Sequence, residues 1–274
     1  MRTPKRSFAP WSMWRDLSSK GYLIFELSKR EILGRYRGSI LGVFWSFLNP
    51  VIMLLVYTFV FHVVLKGRWE EGQKSRSEFA LIIFTGLTVF TLFSELINRS
   101  PSLIVSNVSF VKKVVFPLEI FPCVALGTAL FHASVGFLIL LAANFFLNHN
   151  IHWTFVFFPI ILLPLIFLIL GLSWFLCSLG AFVRDIGQVV ATVTQILMFM
   201  TPIFYPTSAV PERLRMIIAW NPLTFIIEQM RGVFLEGHTP DWLGLALYFI
   251  LGSTVAWLGL VWFEKTRNGF ANVL

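Results

Sequence analysis

The chain reads as apolar blocks separated by short polar segments. Five blocks carry no charge over a membrane-crossing length: residues 40–65, 120–147, 153–183, 186–206 and 242–263. A sixth, 79–97, is interrupted only by Glu95 near its end. A helix needs roughly 20 apolar residues to cross the hydrocarbon core of a bilayer, and within lipid it satisfies its own backbone N–H and C=O groups. The pattern predicts an all-α integral membrane protein with six transmembrane helices, organised as a single transmembrane domain over residues 1–274. A further apolar run, 216–227, is too short to span. Asn221-Pro222 breaks it, because proline lacks the backbone N–H and disfavours a helical residue before it. Two short re-entrant helices before the last span fit this run, and so does an amphipathic surface loop.

The polar segments carry their own patterns. In residues 1–38, Tyr22, Phe25, Ile32, Leu33 and Tyr36 share one helical face, while Glu26, Arg30 and Arg37 lie opposite and Lys29 interrupts the stripe. This predicts an N-terminal amphipathic interface helix, serving as anchor or as contact for a partner. Between spans two and three, Pro101 opens a short helix over 101–113. Leu103, Val108 and Val111 give it apolar contacts, and Lys112 and Lys113 suit the negative end of its dipole. That segment is either a plain basic inner loop or a docking helix for a cytoplasmic partner.

Basic residues set the expected orientation. With both termini inside, fifteen of the 22 lysines and arginines fall on the cytoplasmic side and seven on the other, the bias of the positive-inside rule. A basic segment precedes a first apolar run too long for a signal-peptide core, so no cleavable signal peptide is expected.

Composition reinforces the membrane reading. The chain is 57% hydrophobic and 13% charged, about half the charge of a soluble domain. The net charge of +8 sits between the apolar runs, which favours membrane lipids over nucleic acid as its partner. Cys123 and Cys177 lie in apolar stretches and read as buried thiols, with no metal-ligand spacing around either.

No phosphate-cradling GxxxxGK[ST], HExxH, GxSxG or GxGxxG motif occurs, so neither a catalytic site nor a cofactor is expected in this chain. Two polar stripes stand out. Ser46, Asn49, Met53 and Tyr57 recur on one face of the first span, and Gln188, Thr192, Gln195 and Phe199 on one face of the fifth. Small and polar residues also join membrane helices, so these stripes are either packing seams or a polar pathway. Thr88, Thr91 and Glu95 form a weaker stripe in span two. Phe204 and Tyr205, at the end of span five, could offer ring faces to sugar C–H groups.

Taken together, several segments resemble one family. Arg35-Tyr36-Arg37-Gly38-Ser39-Ile40-Leu41-Gly42-Val43-Phe44-Trp45, continuing to Asn49-Pro50, is similar to the approach to the first span in polysaccharide-exporting ABC transporter permeases. Lys112-Lys113-Val114-Val115-Phe116-Pro117 resembles the end of their coupling helix, and Phe182-Val183-Arg184-Asp185-Ile186 their turn between spans four and five. Thr201-Pro202-Ile203-Phe204-Tyr205 and Trp220-Asn221-Pro222-Leu223 resemble their outer gate, here 207–234 with its flanks. The likeness runs from about residue 17 to residue 263; the loops 66–78 and 148–152 match nothing diagnostic.

The resemblance implies a homodimer of this chain in the cytoplasmic (inner) membrane, paired with two nucleotide-binding ATPase subunits that bind ATP and Mg. A lipid-linked polysaccharide such as O-antigen or capsule would be the substrate. Leu103, Val108, Val111, Lys112, Lys113, Arg184 and Asp185 would contact the ATPases, spans one and five would border the path, and 216–227 would be a re-entrant outer gate. Alternatives are an ABC permease for a drug or lipid, and a polytopic enzyme acting on lipid-linked sugars. The enzyme should show clustered carboxylates or histidines in its loops. Only Glu70, Glu71 and Glu78 gather here, with no paired motif.

Overall fold

The computed structural model describes residues 10–60, 76–113, 116–148 and 152–273. Every regular element among them is helical. Five segments are long and apolar enough to cross a membrane: Gly42–Val60, Phe79–Ser102, Leu118–Leu147, Trp153–Phe182 and Trp242–Ala271; Ile186–Met200 is a shorter apolar helix.

The chain begins with α1 (Pro10–Ser18) and α2 (Gly21–Arg35). The first span contains α3 (Trp45–Tyr57), entered through a 3-10 turn at Gly42–Phe44. Gly38 (φ 86°) precedes that turn and Gly42 (φ 51°) opens it, both in the left-handed region, where a Cβ would be strained. Residues 61–65, expected to complete the span, and the loop to 75 lie outside the described residues.

The second span lies in α4 (Arg76–Arg99), the hub of the bundle, which packs against α3, α6 (Phe121–Asn148), α7 (Phe158–Phe182), α8 (Ile186–Met200) and α10 (Pro222–Arg231). Four-fifths of its apolar window is buried, against 6% for the first span. The last span is α11 (Trp242–Val273), whose most extensive neighbour is α7. It continues ten residues past the predicted end, because Glu264-Lys265-Thr266-Arg267 are compatible with a helix outside lipid as well as within it.

Three expectations change in detail. Span five was expected to reach 206, but α8 ends at Met200; Thr201 turns to extended backbone, as the residue before Pro202 prefers. Its 15 residues cover about 22 Å. The 101–113 helix is not continuous. It comprises 3-10 turns at Ser100–Ser102 and Val105–Asn107, followed by α5 (Val108–Lys113). Side chains compete with the helix for its carbonyls there: Ser102 Oγ donates to Arg99 O, Ser106 Oγ to Ser102 O and Asn107 Nδ2 to Leu103 O.

The third concerns α2. Its expected apolar face leaves Tyr22, Phe25 and Leu33 exposed, while Leu23, Ile24 and Leu27 pack inward. The helix climbs beside α6: Lys20 bonds Glu119, Ser28 Oγ donates to the Val124 carbonyl, Thr128 donates to Glu31, and Tyr36 meets His132. The contacts run from residue 119 to residue 132 of the third span, about 20 Å of helix.

The run before the last span forms two helices, α9 (Glu212–Trp220) and α10, broken at Asn221-Pro222 as predicted. Asn221 Oδ1 caps α10 by accepting from Leu223 N at 3.0 Å, and its amide donates to Thr201 Oγ1 at 2.8 Å. No α9 residue is buried, whereas α10 buries Leu223, Ile226, Ile227 and Met230.

Candidate functional site

The first polar stripe borders a real space. Asn49, Met53 and Tyr57 of α3 face Thr88 and Thr91 of α4 and His132 of α6 across a groove of about 220 Å³. The span-two candidates therefore join the span-one stripe. Ser46 does not line it: it is buried, and its hydroxyl bonds the Val43 carbonyl of the preceding 3-10 turn at 2.7 Å.

The second stripe lies elsewhere. Gln188, Thr192, Gln195 and Phe199 are all exposed along α8, which leans on α4 and α7, whereas α3 leans on α4 and α6. Thr192 satisfies its hydroxyl on the Gln188 carbonyl at 3.0 Å. Thr194 and Val190, on the opposite face, are the buried positions. The described chain thus does not bring the two stripes across one channel. The α3 strip lines a groove within the chain, and the α8 strip lies on an open helix face. A packing seam within the chain would pair its polar groups across helices, and no hydrogen bond of Asn49, Gln188 or Gln195 side chains to another helix is found among the described residues. At the end of α8, Phe204 packs on Phe199 with ring centroids 6.2 Å apart, and the Tyr205 hydroxyl donates to the Phe199 carbonyl at 2.9 Å.

The expected docking residues divide. Leu103 is buried, 7% exposed, and belongs to the chain's own core. Val108 and Val111 are half-buried; Val105, Phe110 and Lys112 face outward, as do Arg184 and Asp185 in the turn before α8. The Lys113 side chain lies outside the described residues. The exposed apolar side chains of this segment are Val105 and Phe110, flanked by the half-buried Val108 and Val111.

A cluster that periodicity did not predict closes one end of the groove. His132 Nδ1 lies 2.9 Å from Glu95 Oε2, Arg35 Nη2 lies 2.8 Å from Glu95 Oε1, and the Tyr36 hydroxyl is 3.2 Å from His132 Nε2. Nδ1 of the ring thus meets Glu95 and also lies 3.2 Å from Arg35 Nη1, while Nε2 meets the Tyr36 hydroxyl. Partial burial, opposed by Arg35 and reinforced by Glu95, raises the Tyr36 pKa above its ordinary value and keeps the phenol a donor. The sequence signal was a histidine inside an apolar span, since intramembrane ionisable residues normally have partners.

Arg231 is a second case, 3% exposed. Its guanidinium donates to the Ile82 and Ile203 carbonyls and to Glu228 at 3.3, 3.1 and 3.0 Å. It ties α10 and the turn after α8 to span two.

A multi-pass helical membrane protein, with a polar strip along a groove, another on an open helix face and an exposed apolar-and-basic segment between two spans, has the build of a transporter's membrane subunit. The chain belongs to the ABC-2 type transporter family, whose family model matches residues 22–235. It is a permease related to proteins of polysaccharide export. It is 27% identical to the O-antigen export system permease protein RfbA of Myxococcus xanthus, over 94% of this chain and 97% of that one. A Klebsiella pneumoniae protein of the same description is 25% identical, over 92% and 95%. The polysialic acid transport protein KpsM of Escherichia coli is 24% identical, over 87% and 91%. Such permeases carry no ATPase domain and work with separate ATPase subunits.

Proposed function

We propose that this chain is the membrane-spanning subunit of an ATP-driven exporter that moves a lipid-linked polysaccharide, of the O-antigen or capsule kind, across the inner membrane. The observation that carries the reading is the end-to-end likeness to permeases named for O-antigen and polysialic acid export. The chemistry of the strips agrees with it. A sugar chain presents many hydroxyls and few charges, so its conduit should offer neutral hydrogen-bonding groups and aromatic faces. Asn49, Tyr57, Gln188, Thr192, Gln195, Phe199, Phe204 and Tyr205 supply these. In this reading α8 is the fifth of six spans, α9 and α10 form a re-entrant outer gate, and the whole chain is one transmembrane unit. Two copies face their α3 and α8 strips into a shared path, and two ATPase subunits dock on Val105, Val108, Phe110, Lys112, Arg184 and Asp185 and supply the ATP and Mg.

Val105→Asp tests the docking surface. Val105 is 39% exposed, so the change spares the chain's own core. It would set a carboxylate into an apolar contact at a cost of about 1–3 kcal/mol. Co-purification with the ATPase subunit should fall by about tenfold and polymer should accumulate inside the cell, with the permease present at normal level. Unchanged co-purification and export would remove this segment from the interface.

Orientation is tested by labelling. Both native cysteines are buried and can be replaced. Ser106→Cys should react with an impermeant thiol reagent only after the membrane is opened, and Ser208→Cys in intact cells. The opposite pattern would invert the topology.

A further inference from the structure

The segment between spans two and three is fastened at both ends. At its start, Ser100 and Ser173 share a 2.6 Å hydroxyl contact, and the Cys177 thiol donates to the Ser100 carbonyl at 3.0 Å. A Cβ on Gly180 would overlap the Pro101 carbonyl and stand 2.6 Å from its Cα, so the backbones of α7 and the segment touch. At its exit, the rings of Phe110, Phe116 and Phe121 cluster, with centroids 4.7 Å apart for the first pair and 5.4 Å for the last two.

The exit converges on Glu119, a carboxylate 3% exposed. Lys20 Nζ, from the turn between α1 and α2, donates to Oε1 at 2.6 Å, and Arg267 Nη1, from the end of α11, donates to Oε2 at 3.0 Å. Arg267 Nη2 also donates to the Phe116 carbonyl at 2.7 Å, and the Trp174 indole of α7 donates to the Glu119 carbonyl at 2.9 Å. Asp16 and Glu264 flank the two cations at 3.3 and 3.7 Å. One buried side chain thus links the N-terminal turn and the last span to the start of span three, while its own carbonyl adds span four. Ion pairs with satisfied geometry fix relative position more than they add stability.

By contrast, α3 buries only Ser46, and α8 only Val190 and Thr194. They are the least buried of the six apolar helices.

We infer that Glu119 is the positioning residue that locks the coupling segment to α7, α11 and the Lys20 turn, so that an ATPase stroke moves them as one body against α3 and α8. The inference rests on the exporter reading. A segment free to slide on the spans would dissipate a push on its exposed face. One clamped at Ser100 and at Glu119 transmits it to the whole body.

The test uses the permease–ATPase complex in lipid, in a Cys123→Ala, Cys177→Ser background, with spin labels at Ser106 and Leu258 or at Ser106 and Leu55. ATP with vanadate should leave Ser106–Leu258 constant and change Ser106–Leu55. In Glu119→Gln, Ser106–Leu258 should become ATP-dependent, and the Ser106–Leu55 change should shrink by about threefold or more. Lys20→Met, which keeps the Glu119–Arg267 pair, should show the same pattern more weakly, and Lys20→Arg should restore the original response. A purely structural Glu119 would lower the yield and melting temperature of the complex without making the distance within the body follow ATP. That outcome overturns the inference, as does an unchanged Ser106–Leu55 response in Glu119→Gln. If Glu119→Gln does not assemble, the Lys20 pair decides: a normal response in Lys20→Met overturns it. No ATP-dependent change in the unaltered complex would overturn the exporter reading, and this inference with it.

Discussion

Gly259→Val is expected to leave little folded permease in the membrane. The seam between α7 and α11 is built on glycines at which the two backbones touch. A Cβ on Gly259 would overlap the Gly171 carbonyl oxygen and stand 2.8 Å from its carbon and 2.9 Å from its Cα. A Cβ on Gly171 would stand 2.5 Å from the Val255 carbonyl carbon and 2.6 Å from the Ala256 Cα, and one on Gly252 2.6 Å from the Pro164 carbonyl oxygen. Every one of these neighbours is backbone, so no side chain can rotate away. Close approach of this kind is how membrane helices gain packing energy, because lipid offers no hydrophobic driving force between them. Valine at 259 must part the most extensive helix pair in the molecule. The cost should be at least the ~3 kcal/mol at the upper end for overpacking, a large share of the ~5–15 kcal/mol that holds a typical fold. Membrane yield and melting temperature in detergent would both drop sharply. Gly187→Ala is the control: nothing lies within 4 Å of a Cβ there, and yield should be unchanged. A Gly259→Val chain with normal yield and melting temperature would mean that the seam is looser than described.

Gln195→Trp should abolish export while the complex remains intact. Gln195 is exposed on the open face of α8, so an indole meets no neighbour within its own chain. If two copies turn that face to a shared path, the added bulk fills it. Export should fall by about tenfold or more, the effect of a ~1.4 kcal/mol rise in a barrier. Complex yield and thermal stability should stay level. If the face is instead a tight contact between copies, stability falls together with export. Normal export with normal stability would mean that Gln195 faces lipid, and the pathway would lose its second strip.

These two variants rest on different kinds of information. The stripe containing Gln195 was readable from spacing alone, because residues three and four apart share a helix face. What lies opposite that face was not readable. The family resemblance implied that spans one and five border one path; the folded chain sets α3 and α8 on different neighbours of α4. The burial of Leu103 is likewise a matter of packing. Hydroxyls and an amide bonding back to the chain break the 101–113 segment into turns, so no single helical period places its side chains.

By itself the sequence determined the apolar spans, the absence of a phosphate-binding loop motif, the break at Asn221-Pro222, the polar strips and the likeness to exporting permeases. Each is a local property: transfer of apolar side chains into lipid, the missing N–H of proline, or a short motif. The tertiary structure alone decided that span two is the hub, that α2 climbs along span three, and that Glu119 gathers Lys20 and Arg267 from positions about a hundred residues before it and 148 after it. It also decided that His132 meets Glu95 and that Gly171 meets the Val255 backbone. Such pairings depend on which helix faces reach one another at close range. The strength of an ion pair or a backbone contact is set by distance and burial, and a linear chain specifies neither until it has packed.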